Sequence, residues 1–398
     1  MAKYEYNGQE EKNVDTDFIK CEACGSTMIF DPNTQQLICE HCGHTVQFDK
    51  NLDVKEIELS EALKLSESWE SETKVYKCEN CGAKVVIDKN VVAGSCPFCG
   101  TAHVVETDEI AGIKPNALIP FLIDDKKAVE NCKKWSKKRI FAPRSFKKSF
   151  KADNINGVYT PCFTFDSDTV SVYSGRVGQR RTRTVGSGKN RRTETYIHWF
   201  NVSGNIQYFF DDILIAAGKK ISQQQISKIS PFAKEKSCVY EPKFLHGFVA
   251  NHYDKDINTS WQEAKGLIDK QIRSMILRKH NADVVDHLNV STNHKNVTYK
   301  YMLMPVYVGN FTFHKKLYNL FVNGSTGKVY GKSPVSPIRV ALLVVIIAAI
   351  IGLIAYFGNN ASSSDSNEYD GLSGVTVSQE VPLQLSQNVG ALQNFEFK

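Results

Sequence analysis

The chain has 398 residues, 49 of them Lys or Arg and 43 Asp or Glu, for a net charge of +6. That small total hides a polarity. Residues 1–114 hold 11 lysines, no arginine and 21 acids; residues 115–339 hold 37 basic and 17 acidic residues; residues 340–398 hold one lysine and five acids. A front this acidic is excluded as a phosphate-binding surface, and asymmetry of this size concerns partners rather than fold. No charged segment followed by an apolar one opens residues 1–10, so no cleaved signal peptide is expected there.

Eight of the eleven cysteines form two copies of one pattern, Cys21-x2-Cys24-x14-Cys39-x2-Cys42 and Cys78-x2-Cys81-x14-Cys96-x2-Cys99, offset throughout by 57 residues. Glycine follows every pair (Gly25, Gly43, Gly82, Gly100), as a metal knuckle requires where the chain turns sharply to face N–H groups toward thiolates. Two knuckles supply four thiolates to one closed tetrahedral site. The spacing therefore predicts two structural Zn2+ sites in two zinc ribbons, residues 18–48 and 75–106. A cytoplasmic location disfavours disulfides, and a redox CxxC would want a βαβ setting that the sequence lacks. A closed site leaves no position for water, which excludes a catalytic metal. The intervening residues read as hairpins turning at Asp31-Pro32-Asn33 and Asp88-Lys89-Asn90. His41 and His44 read as surface rather than as spare ligands. Residues 49–74 read as an acidic linker with an amphipathic helix over 52–65, either a spacer or an element that docks on the basic middle.

From Pro115 to residue 335 the pattern is that of a mixed α+β domain rich in antiparallel strands. An edge strand is expected over 116–123 and a helix over 126–139, capped by Asp124-Asp125. Strands follow over 157–165 and 170–173, then a basic loop or hairpin over 176–192 and a strand over 196–200. The second half brings a helix over 260–280, strands over 301–308, 311–313 and 316–322, and a turn at Asn323-Gly324. Helix, then aromatic strands broken by a proline (Pro161, Pro305), reads as a duplication of 115–215 in 235–335. No catalytic constellation survives inspection. Gly186-Ser187-Gly188-Lys189 has Arg183 where a Walker loop needs glycine, and Asp211-Asp212 reads as a turn. Cys132, Cys162 and Cys238 sit among apolar residues as core packing. The chain is expected not to be an enzyme.

Several stretches carry a likeness: Cys78-Glu79-Asn80-Cys81-Gly82 with Cys96-Pro97-Phe98-Cys99-Gly100, Leu118-Ile119-Pro120-Phe121, and Gly157-Val158-Tyr159-Thr160-Pro161. Tyr208-Phe209-Phe210-Asp211-Asp212, Leu303-Met304-Pro305-Val306-Tyr307 and residues 322–331 (VNGSTGKVYG) add to it. Together they resemble a bacterial family of membrane-anchored proteins with TFIIB-type zinc ribbons, often labelled primosomal-protein-N′-like or helicase-like. The first ribbon is as complete as the second and the tail is long, two departures from the family's pattern. The helicase label would require nucleotide-binding motifs that this chain lacks. What the resemblance implies is an anchored adaptor, a companion of flotillin-like and phage-shock-type proteins in membrane-stress systems.

Residues 340–357 (VALLVVIIAAIIGLIAYF) contain no charge. At 1.5 Å per residue they cover about 27 Å, close to the ~30 Å of a hydrocarbon core, with no polar stripe of the kind a soluble helix keeps. A transmembrane helix is expected over 338–358. Lys328, Lys332 and Arg339 precede the uncharged run and Asp365, Glu368, Asp370 and Glu380 follow it. That bias puts the body in the cytoplasm and an acidic, disordered tail, 359–398, outside the cell membrane.

The expectation is a non-enzymatic single-pass adaptor. Its basic middle lies against anionic lipid through Arg176, Arg180, Arg181, Arg183, Lys189, Arg191 and Arg192, and through a second patch of Lys133, Lys134, Lys137, Lys138 and Arg139. Its acidic ribbons face away and recruit a protein. The alternative is a membrane-tethered, replication-associated protein that binds nucleic acid. There the same cations grip phosphates and Tyr196, Trp199 and Phe200 stack on bases, although aromatics in alternating strands are more often core.

Overall fold

The computed structural model describes residues 20–48, 50–61, 73–88, 96–101, 104–107, 114–148, 155–313 and 316–361. The tail from residue 362, most of the second ribbon's hairpin turn and the end of the expected linker helix lie outside them. The chain divides into two compact units, Met1–Ser336 and Pro337–Lys398.

In the first ribbon β1 (Met28–Asp31), β2 (Gln36–Cys39) and β3 (Thr45–Val46) form a three-stranded antiparallel sheet. Its turn is fixed by the Asp31 carboxylate, which accepts the Asn33 and Thr34 N–H groups at 3.0 and 3.2 Å. Phe30 faces inward, its ring centroid 5.2 Å from that of Phe244, and its N–H donates to the His246 carbonyl at 3.0 Å. The acidic front is thus docked on the basic middle, not a separate object as the charge blocks imply. The linker carries the same lesson. Its described part is extended rather than helical: β4 (Ile57–Glu58) pairs with Tyr299 and Thr298, and one 3-10 turn follows at Leu59–Glu61. The apolar period that reads as a helix is overridden by a strand edge for Ile57 and a lysine, Lys300, for Glu56 at 3.0 Å.

The second ribbon, β5 (Thr73–Cys78), β6 (Lys84–Asp88) and β7 (Val104–Thr107), is woven into the large sheet, because Val86 and Val85 of β6 pair with a strand of the middle domain. That sheet follows one repeated arrangement. β8 (Ala117–Leu118), α1 (Asp125–Lys137), α2 (Arg144–Lys148), β9 (Ile155–Val185) and β10 (Arg192–Ala216) form the first half. After α3 (Gln223–Ile229) and β11 (Cys238–Val239) come β12 (Val249–Asn251), α4 (Ile257–Lys279), β13 (Val284–Phe313) and β14 (Lys316–Asn323), with β15 (Val329–Gly331) on the outside of β14. β9 and β13 run antiparallel with Thr160 opposite Met304. β8 joins β13 in parallel, Ala117 and Leu118 opposite Met302 and Leu303; β12 joins β9 in parallel, Val249 and Ala250 opposite Val158 and Tyr159. Each half lends its short strand to the other in the same register about the Thr160–Met304 pair. β8 therefore lies between β11 and β13, and the edge strand expected over 116–123 is instead a two-residue interior strand.

Of the loop or hairpin expected over 176–192 the structure has the hairpin, and its first arm is continuous with the strands expected over 157–165 and 170–173. β9 runs 31 residues without a break and turns into the 25-residue β10, while β13 runs 30. The basic segment stays extended because its register sets compatible residues opposite one another. Thr182 and Thr184 face Thr195 and Thr193 on one side of the ribbon, and Arg181 and Arg183 face Tyr196 and Glu194 on the other. α4 lies against the lower part of this three-strand region. It is N-capped by Asp256, which accepts the Thr259 N–H at 2.9 Å, and buries Ile257, Trp261, Ala264, Ile268, Ile272 and Ile276 at helical spacing. α1 is capped as expected: Asp124 accepts the Lys127 N–H at 2.7 Å.

The Asn323-Gly324 turn is a buried hub. Asn323 is fully buried; its side-chain carbonyl accepts the Ser325 and Thr326 N–H groups at 2.8 and 3.0 Å, and its amide donates to the Ile229 and Pro231 carbonyls at 3.1 and 2.9 Å. A Cβ on Gly324 would meet the Phe121 ring at 2.5 Å and Pro305 at 2.8 Å, so the backbone approach there demands glycine. Asn323→Ala strands the buried Ile229 carbonyl, the part-buried Pro231 carbonyl and the N–H groups of Ser325 and Thr326. It should cost about 3 kcal/mol or more, read as a lowered denaturation midpoint; a loss under about 1 kcal/mol would refute the hub.

The second unit contains α5 (Pro337–Ala361), whose segment Pro337–Tyr356, 20 residues of mean hydropathy 3.0, is long and apolar enough to cross a membrane.

Candidate metal centres

Each knuckle is built the same way. The Cys21 N–H donates to the Ser26 carbonyl and the Gly25 N–H returns to the Cys21 carbonyl, both at 2.8 Å. Cys39, Cys78 and Cys96 repeat both bonds at 2.8 Å with His44, Ala83 and Thr101 and with Gly43, Gly82 and Gly100. All four glycines sit at positive φ, from 67° to 76°, and a Cβ on any of them would meet nothing within 4 Å. Backbone conformation, not space, selects glycine here.

The knuckles bring eight sulfurs into two groups, Cys21, Cys24, Cys39, Cys42 and Cys78, Cys81, Cys96, Cys99, the sulfurs of each within 4.8 Å of one another. The sulfurs of Cys21 and Cys42 are 3.4 Å apart, those of Cys24 and Cys39 3.5 Å, those of Cys78 and Cys99 3.7 Å and those of Cys81 and Cys96 3.6 Å. Four sulfurs at about 2.3 Å from a shared tetrahedral centre lie about 3.8 Å apart, so both clusters have metal-binding geometry compatible with two zinc sites. Sulfurs this close cannot all carry charge unaided. The Ser26 N–H and hydroxyl draw the Cys24 thiol down to about 5. Against the His44 N–H, which lowers it, Cys42 is pushed up to about 12 by hydrogen bonds with Cys21 and Cys24. A divalent cation removes that conflict. Cys21, Cys39, Cys78 and Cys96 are buried while Cys24 and Cys42 are exposed, so the first site sits at the surface and is gripped from below. His41 is exposed and His44 half-buried, and the cysteine group is complete without them.

The other three cysteines are fully buried, and burial pushes the thiols of Cys132 and Cys238 up to about 12 and that of Cys162 higher still. They are core.

A third group, Asp166, Asp211 and Asp212, also has clustered carboxylates. Here the cation is the protein's own. Lys300 Nζ is 2.8 Å from Asp212, 3.0 Å from Glu56 and 3.8 Å from Asp166, and Lys234 reaches Asp212 at 3.1 Å. Asp211-Asp212 forms a bulge in β10 rather than a turn. Asp212 takes a φ of 49°, and its N–H donates to Asp166. Burial pushes the Asp166 carboxyl up to about 6. Burial acts the same way on Asp212, yet Lys300 and Lys234 hold that carboxyl below its ordinary value. A lone lysine in a run of aromatic strand residues gave no signal of this network; the paired aspartates gave half of it.

The two basic patches expected to meet an anionic surface lie apart in the fold. Lys133, Lys134, Lys137, Lys138 and Arg139 lie on or just after α1, beside the start of β9. Arg176, Arg180, Arg181, Arg183, Arg191 and Arg192 lie toward the far end of the β9–β10 hairpin, and Lys189 at its tip. Phe200 and Trp199 are half-buried and Tyr196 is 39% exposed, so the aromatics there are not uniformly core. Arg176 lies 5.6 Å over Trp199 and Arg183 5.5 Å over Tyr196.

No family model and no solved structure matches the chain. Over 238 residues it is 30% identical to a Bacillus subtilis (strain 168) protein described as uncharacterized protein YdjG, a match that covers 59% of this chain and 68% of that one. The chain belongs to the YdjG family. The relative's description names no metal, partner or activity, so the two cysteine clusters and the apolar helix carry the reading of the site.

Proposed function

We propose that this chain is a single-pass membrane protein whose cytoplasmic body, built on two structural zinc sites, serves as a non-enzymatic adaptor. The observation that supports it is the pairing of two closed four-thiolate clusters with a 20-residue apolar helix of mean hydropathy 3.0. Closed sites offer no coordination position to water or substrate, and the helix supplies the anchor. Zinc is the metal that tetrahedral thiolate sets favour. Lys328 and Lys332 before the helix and Arg339 in its first turn orient the body to the cytoplasm. There its basic surface meets the anionic inner leaflet and its ribbons hold a protein. By the family resemblance the partner is a flotillin-like or phage-shock-type protein. Co-expressed with such a protein, the full-length chain should retain it through membrane solubilisation and affinity purification. Charge reversal at the exposed Glu22 and Glu40 of the first ribbon should release it. Equal retention by that variant would remove the ribbons from the reading.

A second reading has its own observation. Arginines stacked on aromatics along a two-stranded ribbon are suited to nucleic acid, since a β-ribbon fits a major groove and Arg–aromatic pairs stack on bases. Retention of DNA in place of protein, lost on Arg180→Glu and Arg183→Glu, would favour it.

A further inference from the structure

We infer that the turn joining α1 and α2, and not the hairpin tip, is the surface of this body that meets anionic lipid; the inference rests on the membrane-anchor reading above. α1 buries Ala128, Val129, Cys132 and Ser136 on one face and leaves Lys133, Lys134 and Lys137 exposed on the other. The chain then turns through Lys138, Arg139 and Ile140, the turn being closed by the Ala142 N–H on the Arg139 carbonyl at 3.0 Å, and α2 adds exposed Arg144 and Lys148 around a buried Phe146. Among the described residues Glu130 is the acid that answers this surface, and it is taken by Lys127 and Lys134 at 2.8 and 2.6 Å. Lys133, Lys137, Lys138, Arg144 and Lys148 form no ion pair among the described residues. Ile140, 66% exposed, follows Lys137, Lys138 and Arg139 directly in this turn, with Arg144 four residues on. Lys and Arg beside an exposed apolar side chain suit an anionic bilayer surface, where cations meet headgroups and an aliphatic side chain enters the interface.

Position decides between the two basic surfaces. The Ser336 N–H donates to the Phe141 carbonyl at 2.9 Å, so the residue at which the body ends is fixed to this turn. The apolar helix begins at the next residue, Pro337, and consecutive Cα atoms are about 3.8 Å apart. Chain continuity alone therefore keeps the α1–α2 turn at the point where the chain enters the bilayer, at the high effective concentration of a short tether. The hairpin tip is elsewhere. β9 starts at Ile155, in the same core cluster as Val129, Cys132 and Phe146, and ends 30 residues later at Val185, on the order of 100 Å of strand away. Sequence separation hides this surface, since nearly 200 residues lie between Phe141 and Ser336.

Hydrogen exchange on the full-length chain in nanodiscs tests the inference, with discs of phosphatidylcholine alone compared with discs that also contain phosphatidylglycerol. Amides of residues 133–148 should exchange about tenfold more slowly in the anionic discs, where Lys and Arg are held to anionic headgroups. Residues 178–198 should exchange alike in both. Lys133→Glu with Lys137→Glu and Lys138→Glu, all exposed, should abolish the difference, whereas Arg180→Glu with Arg183→Glu should leave it intact. A chain stripped from membranes by alkaline carbonate would overturn the anchor reading itself. An integrated chain with equal exchange at 133–148 in both discs, or with protection at the hairpin instead, would overturn this inference alone.

Discussion

Cys96→Ser should lower the zinc content of the purified chain from about two equivalents to about one, and should loosen more than the second ribbon. Structural zinc contributes roughly 10–16 kcal/mol where folding depends on it, comparable with the whole stability of a domain. Cys96 is buried and packs in one cluster with Val85, Val158, Val306 and Phe321, so its site is continuous with the core of the middle domain. The backbone is continuous as well: Val86 and Val85 pair with Ala250 and Asn251, and Val249 and Ala250 pair with Val158 and Tyr159. Body groups also hold the knuckle loops from outside, Asn310 donating to the Pro97 carbonyl at 2.8 Å and Lys220 to that of Cys81. Cys39→Ser makes the contrast. The first ribbon also packs into the body, Cys21 and Cys39 lying in one buried cluster with Leu118, Tyr159 and Ala250, but its sheet is its own and, among the described residues, pairs with no strand of the middle domain. That variant should also lose one equivalent of zinc, yet loosen β12 less, because no strand of the first ribbon pairs with it. Metal analysis with hydrogen exchange at 249–251 reads both. A Cys96→Ser chain that keeps two zinc equivalents, or that leaves β12 as protected as Cys39→Ser does, would sink the coupling of metal to sheet.

The two four-cysteine clusters were legible because knuckle geometry is local: four pairs of cysteines, each followed by glycine, leave little freedom in what they build. The apolar helix and the Asp124 cap were legible for the same reason. The long strands were not. Pro161, Asp166 and Asp168 each argue locally for a break, and what overrides them is pairing with residues 284–309, more than a hundred positions away, while the arginines past Gly178 are held extended by β10. The acidic linker failed in the opposite direction. Its helical period is real, but Ile57 and Glu56 find a strand edge and a lysine that only the folded middle provides. Charge counting saw two basic runs and could not see that one lies beside the body's exit to the apolar helix and the other at the end of a long hairpin. Lys300 was invisible for a simpler reason: one lysine among tyrosines and methionines has no pattern.

That lysine gives the second large expected effect. Lys300→Met should cost about 3–5 kcal/mol at pH 7, because it leaves Asp212, Asp166 and Glu56 facing one another without their shared cation in a mostly buried site. The pH dependence has a definite sign. In the native chain burial lowers the Lys300 pKa, but Asp212 and Glu56 outweigh it and hold the ammonium above its ordinary value; its contribution is complete at neutral pH and is lost only as pH rises past that raised value. Asp212, held below its ordinary value, contributes stability at neutral pH that is lost as pH falls through its depressed pKa. Asp166 works the other way: pushed up to about 6 by burial, it favours the folded state below that pH and opposes it above. Removing the lysine raises all three carboxylates, so the folded variant takes up protons that the unfolded chain does not, and its stability should recover as pH falls from 7 to 5. The midpoint difference between Lys300→Met and the native chain, measured in detergent, should shrink by about half over that interval. Adding Asp212→Asn to Lys300→Met should restore part of the loss at pH 7 and flatten the pH dependence, because one of the repelling charges is gone. A penalty equal at pH 7 and pH 5 would mean that Lys300 acts through packing, and the charge network would then have no part in holding the acidic linker to the sheet.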